Sequence, residues 1–192
     1  MKILSSFDTN LSYDLYEEYT KKYGKSNVLL FFRYKIYLIL YILIPSFLYI
    51  FLISIWLYIG YIIDFSDDSL NSIKFYFFLI IFLLSFIIYG WKLLKKLMDY
   101  LMDFTIVTPD DIIHYDQTGM FTRDSVSISV RKLKTISVEK NGILRSIFNY
   151  GNMQFLSEGD SSSTGDIHIF YVKDPDNLKL QIQNVISIYN NK

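Results

Sequence analysis

The chain has no cysteine, which excludes disulfides, thiolate metal centres and a cysteine nucleophile. It has no alanine either, and Ile, Phe, Tyr, Lys and Asn are abundant. Such a skew points to coding bias, so the 17 tyrosines and 16 phenylalanines carry little functional weight by themselves. Net charge is also missing, because 19 basic residues cancel 19 acidic ones among the 192. No global field therefore recruits nucleic acid or an acidic substrate. Histidine is scarce, with only His114 and His168, and both fall in predicted strands. Asp110, Asp111, Asp116 and Asp166 could complete a metal site, but strand histidines more commonly just satisfy a hydrogen bond. The run Asp160–Asp166 lacks the alternating carboxylates and distal glutamate of a calcium loop, and reads as a hairpin tip. No Ser-His-Asp order, glycine-rich phosphate loop or paired-carboxylate cleft stands out. A non-catalytic protein without cofactor or small-molecule substrate is expected.

Charge is absent locally as well. Ile36 to Ile63 contains no ionisable lysine, arginine or carboxylate. At about 1.5 Å per residue, a helix of that length exceeds the roughly 30 Å of bilayer hydrocarbon. A soluble amphipathic helix would show a polar face. Pro45 lies inside this run and predicts a kink. A second uncharged run, Phe75 to Trp91, follows after a short polar connection. The two make an antiparallel transmembrane hairpin. Apart from tyrosines and tryptophans, only Ser46, Ser54 and Ser85 bring polar groups into it, which argues against a transporter, channel or proton relay.

Lysine and arginine set the orientation. Lys21, Lys22, Lys25, Arg33 and Lys35 precede the first run, and Lys92, Lys95 and Lys96 follow the second. The connection holds three aspartates against Lys74 alone. By the positive-inside rule both termini are cytoplasmic. The first run starts too late and is too long for a removable signal, so it is expected to stay as an anchor. Arg33 and Lys35 are expected at the headgroups, and Tyr34, Tyr37, Trp56, Tyr58, Tyr61, Tyr76, Tyr89 and Trp91 suit an aromatic belt.

Before the hairpin, Ser12 can cap a helix in which Leu15, Tyr19 and Tyr23 form one stripe, ended by Gly24. That stripe would pack on the rest of the protein or lie on the inner leaflet. After Trp91 the helix is expected to continue as a strut to Asp103. From Phe104 the pattern becomes strand-like. Phe104–Thr108, Ile112–Tyr115, Ser125–Val130 and Leu133–Val138 read as strands, with an irregularity near Lys132. Ile143–Phe148 reads as a helical turn, Asn152–Leu156 and Ile167–Val172 as a further strand pair. Pro175 opens a closing helix with Leu178, Ile182, Val185, Ile186 and Tyr189 on one face. Six or seven antiparallel strands with one C-terminal helix make a half-open barrel or two-sheet sandwich.

This ordered set resembles the bacterial pleckstrin-homology-like (PH-like) domains of membrane-anchored proteins with two preceding spans. Phe104–Thr108 and Asp111–Ile113 resemble the family's opening strand pair, and Gly119–Arg123 its turn. Ser127–Val130 and Leu133–Val138 resemble the central strands. Leu144–Met153 matches a leucine, a basic residue and a G-Y-G before a strand, and Val172–Pro175 the lead into the last helix. Asn149 replaces the first glycine of the G-Y-G and Ser129 a usual proline. The resemblance implies an α+β membrane protein with an N-terminal amphipathic segment (1–27), a hairpin with a cytoplasmic extension (28–103) and a cytoplasmic PH-like domain (104–192). It implies a scaffold or interaction module at the cytoplasmic membrane, binding lipid surface, a protein partner or a second copy. An accessory subunit of a transport or secretion assembly is the alternative.

Three sets of residues are candidates for contact or shape. Arg131, Lys132, Lys134 and Arg145 form a basic set for anionic lipid or an acidic partner. Leu144, Ile147 and Phe148 form an apolar patch for a protein partner, and Asn149 with Gly151 the corner that holds it. Eukaryotic PH domains bind inositides with basic residues around the first strand-pair turn. Thr108-Pro109-Asp110-Asp111, read as that turn, is acidic, so inositide binding is not expected.

Overall fold

The computed structural model describes residues 10–63, 68–119, 122–158 and 166–190. The hairpin tip expected around Gly165 lies outside the described residues. Two compact units emerge, one from residues 1–36 with 98–192 and the other from 37–97.

In the first unit, α1 (Leu11–Tyr23) leads to β1 (Leu29–Phe32), and after the second unit the chain resumes with β2 (Phe104–Val107), β3 (Asp111–Asp116) and β4 (Asp124–Ser129). These four strands form one antiparallel sheet in sequence order. A 3₁₀ turn at Val130–Lys132 then redirects the chain. β5 (Leu133–Glu139), β6 (Tyr150–Ser157) and β7 (Ile167–Lys173) make a second antiparallel sheet, with α4 (Ile143–Ile147) between β5 and β6. The irregularity expected near Lys132 is thus the switch from one sheet to the other. The closing helix, here labelled α5, runs Pro175–Asn190.

Alternation builds the core. Val107, Ile112 and Ile128 from the first sheet meet Ile136, Met153, Phe155, Ile167, Ile169 and Val172 from the second, and Ile182 and Val185 of α5 close over them. Each such side chain contributes about 1.5–3 kcal/mol by leaving water. The outer face of the first sheet is also apolar, at Val28, Phe104 and Ile106, and Leu11, Leu15, Tyr19 and Tyr23 pack on it. Tyr23 Oη donates to Asp110 Oδ2 at 2.6 Å. Of the two sequence readings for the N-terminal stripe, packing on the protein is the one observed.

One assignment from sequence is corrected. Val28–Phe32 reads as the approach to the first span, but Leu29–Phe32 is a strand paired with Phe104–Val107, from Leu29↔Val107 to Phe32↔Phe104. Four apolar residues beside a longer apolar run carry no period of their own, so the strand was invisible. The body that begins at Phe104 therefore lacks its first strand unless residues 29–32 are included. It follows that Thr108–Asp111 is the turn between the second and third strands, and the apolar unit occupies the first strand connection.

That second unit consists of α2 (Ile36–Ile62) and most of α3 (Asp68–Met102), both long and apolar enough to cross a membrane by length and composition. Pro45 has no amide hydrogen and its ring crowds the carbonyl one turn back. The helix widens there into a π turn at Ile39–Leu43, with Ile44 N–H donating to Ile39 O. The hydroxyls are used inside the pair. Tyr49 and Tyr89 stack at 4.0 Å, Tyr49 Oη lies 3.1 Å from Ser85 Oγ, and Tyr89 Oη donates to Ser46 Oγ at 3.0 Å. Trp56 stacks on Phe78 at 4.5 Å. Tyr89 and Trp56, expected in a belt, instead join the two helices.

Candidate functional site

The place where the apolar unit is inserted is built from the two residues flanking the Phe32↔Phe104 pair. Arg33 and Asp103 form an ion pair there, and Arg33 Nη2 also lies 3.6 Å from Asp116 Oδ1. Asp103 is buried, and its Oδ1 accepts from Gln117 N at 2.7 Å. Burial pushes its carboxyl up to about 7, opposed by the Arg33 guanidinium and the Gln117 amide and reinforced by Asp116 and Asp99. From sequence Arg33 reads as a headgroup lysine-like cation and Asp103 as the polar face of a strut. The structure makes them a clamp closing the base of the insertion. An arginine just before one apolar run and an aspartate just after the next was the available signal.

One step along the ladder, Thr105 and His114 face each other across β2 and β3, with Thr105 Oγ1 2.9 Å from His114 Nδ1. Burial lowers the imidazole pKa below its usual 6.5, with Arg33 lowering it further while Asp116 and the Phe104 backbone act the other way. His114 is therefore a hydrogen-bonded core histidine, and His168 is exposed on β7. Among the described residues no metal-holding cluster occurs. A depressed folded pKa means the unfolded chain binds the proton first as pH falls through 6.5. His114 therefore contributes stability above that pH and loses it below. Its ring proton resonance is expected to titrate with a midpoint below 6.5, and a midpoint above 6.5 would contradict this placement.

Tyr34 continues the exit. Its N–H donates to Tyr171 O at 2.6 Å, its ring lies 6.5 Å from that of Tyr150, and Lys173 Nζ sits 5.9 Å from its ring centre. Tyr150 stacks in turn on Tyr171 at 5.7 Å. A groove of about 740 Å³ opens beside this collar, lined in part by Tyr13, Phe32, Arg33, Lys35 and Lys173.

Directly before Tyr150 stands α4, whose Ile143, Leu144, Ile147 and Phe148 are 79%, 51%, 68% and 47% exposed. The corner behind it is rigid. Asn149 has φ 46°, the left-handed conformation that asparagine tolerates better than most residues, and its carbonyl accepts from Asp174 N at 2.8 Å. Lys140 Nζ reaches Asn149 Oδ1 at 2.7 Å and Asp176 Oδ2 at 2.5 Å. Gly151 is a close-approach position. A Cβ there would lie 2.7 Å from Glu139 O and 3.1 Å from Pro175 Cγ.

The four basic residues are not brought together. Arg131 and Lys132 are exposed on the 3₁₀ turn, beside the β2–β3 turn, where Val130 N donates to Asp110 O at 2.8 Å. Lys134 borders a groove of about 370 Å³ between β5 and α5. Arg145 lies on α4, past the other end of β5, so a strand of about 20 Å separates it from Lys132. Adjacency in sequence near Lys132 masked the fact that a strand carries the chain away.

No family model matches the chain, and no curated protein matches it. Among solved structures it is similar to the Vps36 N-terminal PH domain, with 13% identity, TM-score 0.35, 49% of this chain and 68% of that one. It is also similar to a DUF1696 family protein with a pleckstrin-homology domain from Shewanella loihica, with 15% identity, TM-score 0.35, 45% of this chain and 73% of that one. At these values the likeness adds nothing to the argument, which rests on strand order, register and core.

Proposed function

We propose that the protein is a non-catalytic, membrane-anchored PH-like interaction module, held by the α2–α3 hairpin with its seven-stranded body at the cytoplasmic face. The observation that carries this is the pairing of Phe32 with Phe104. The inserted segment leaves and re-enters the sheet at adjacent positions, so both of its ends belong on one side of a bilayer. Two helices of spanning length between those ends meet that requirement, and an odd number of crossings would not. The lysine asymmetry supports the cytoplasm as that side. Partners are membrane lipid together with a protein or a second copy.

Protease added outside intact cells is expected to leave residues 104–192 untouched. The same protease added to inverted vesicles should digest that region. Digestion of 104–192 from outside would overturn the orientation, and extraction of the chain by carbonate would overturn the anchoring.

A further inference from the structure

We infer that α4 is a third membrane contact, a short apolar wedge that enters the interface of the leaflet where the hairpin begins. The inference rests on the anchoring proposed above and adds the surface that meets lipid. Its ground is position within the body itself. The chain leaves the sheet at Tyr34, bonded to Tyr171 and packed near Tyr150. Tyr150 opens β6 immediately after α4, and Asn149 is tied to Asp174 at the end of β7. The exit of the chain and α4 are therefore on the same end of the body, and the apolar run begins two residues after Tyr34, at Ile36.

Chemistry selects lipid as the occupant. Four of the six residues from Ile143 to Phe148 are large, apolar and about half exposed or more. Arg145 within the helix, with Lys173 and Lys35 beside Tyr34, supplies cations at phosphate level. Tyrosines 34, 150 and 171 form an aromatic collar of the kind that sits between headgroup and hydrocarbon. The corner made by Asn149, Gly151 and Lys140 holds the wedge at a fixed angle, so insertion costs little ordering. Arg131 and Lys132, at the opposite end of β5, have no part in it.

The absence of cysteine allows single reporters in the full-length chain. Ile147→Cys, Leu144→Cys, Lys132→Cys and Leu52→Cys are each labelled with an environment-sensitive fluorophore and reconstituted at low density in phosphatidylcholine–phosphatidylglycerol vesicles. Spin-labelled lipids of differing depth serve as quenchers. The Ile147 and Leu144 labels are expected to lose about half of their fluorescence or more to shallow quenchers, as interfacial helices do, while the Lys132 label stays unquenched. Arg145→Glu in the Ile147→Cys background should weaken that quenching. Quenching of the Leu52 label alone leaves the anchoring intact and overturns the wedge. A blue shift at Ile147 without lipid quenching means that a second copy covers α4, which also overturns it. Loss of quenching at all four positions removes the anchoring and the wedge together.

Discussion

Gly151→Val is expected to cost the body about 3 kcal/mol or more, lowering its Tm by about 10 °C in the full-length chain. The glycine is not required for a left-handed turn, which Asn149 supplies one residue earlier with Tyr150 between them. It is required because three segments converge on its α-carbon. An added Cβ would meet the Glu139 carbonyl at 2.7 Å, Lys140 Cγ at 3.0 Å and Pro175 Cγ at 3.1 Å. Glu139 O and Pro175 belong to the end of β5 and the start of α5, so no flexible side chain can yield on their account. Branching at Cβ adds a second atom to the same gap. Gly119→Ala is the matched control, because its Cβ would meet Thr122 Oγ1 at an ordinary 3.4 Å. Differential scanning, with hydrogen exchange to localise the loss to β5–β7, makes the comparison. Equal melting temperatures for the two variants would refute the convergence.

Replacing Arg33 with methionine should be nearly as damaging and should depend on pH. Removing one partner of a buried pair leaves the other charge uncompensated, at a cost of about 3 kcal/mol. In the intact protein the Asp103 carboxyl, raised to about 7 in the fold, favours the folded state when protonated. That contribution is fully present below the ordinary carboxylate pKa of 3.8 and is lost as pH rises through 7. Arg33 offsets the burial of the ionised form, so its removal hurts most above pH 7 and least near pH 5. Asp103→Asn added to Arg33→Met should recover most of the loss at pH 8, since the carboxamide oxygen still accepts from Gln117 N. Urea unfolding at the two pH values is the measurement. A pH-independent loss, or no rescue by the asparagine, would mean that the clamp does not bear on stability.

Most elements after Trp91 were legible because their patterns are short and clean. Val126, Ile128 and Val130 alternate with serines and Arg131, and they do turn their apolar side inward. Leu178, Ile182, Val185 and Ile186 keep helical spacing and close the core. The two apolar helices were legible from uninterrupted absence of charge. What could not be read was pairing across the insertion. Leu29–Phe32 has the same composition as the helix it precedes, and only its register with Phe104–Val107 identifies it. The Arg33–Asp103 clamp was hidden for the same reason, as its members are distant in sequence and each has an ordinary local explanation. The basic set failed differently. Arg131, Lys132 and Arg145 are near in sequence, and a strand separates them in space.

Insertion between the first two strands also bears on how the protein is made. β1 emerges from the ribosome first and waits about 70 residues for its partner, which at 5–20 residues per second is several seconds. If those residues were a free loop, closing it would carry a substantial entropic cost. Integration of α2 and α3 as a hairpin brings the two strand ends back to one membrane surface and removes most of that cost. A chain in which one helix fails to integrate delivers β2 to the wrong side, where β1 cannot reach it. Completion of the sheet thereby becomes a check on correct integration. Misinserted chains retain an unpaired β1 edge and an open core, the state that quality-control proteases recognise.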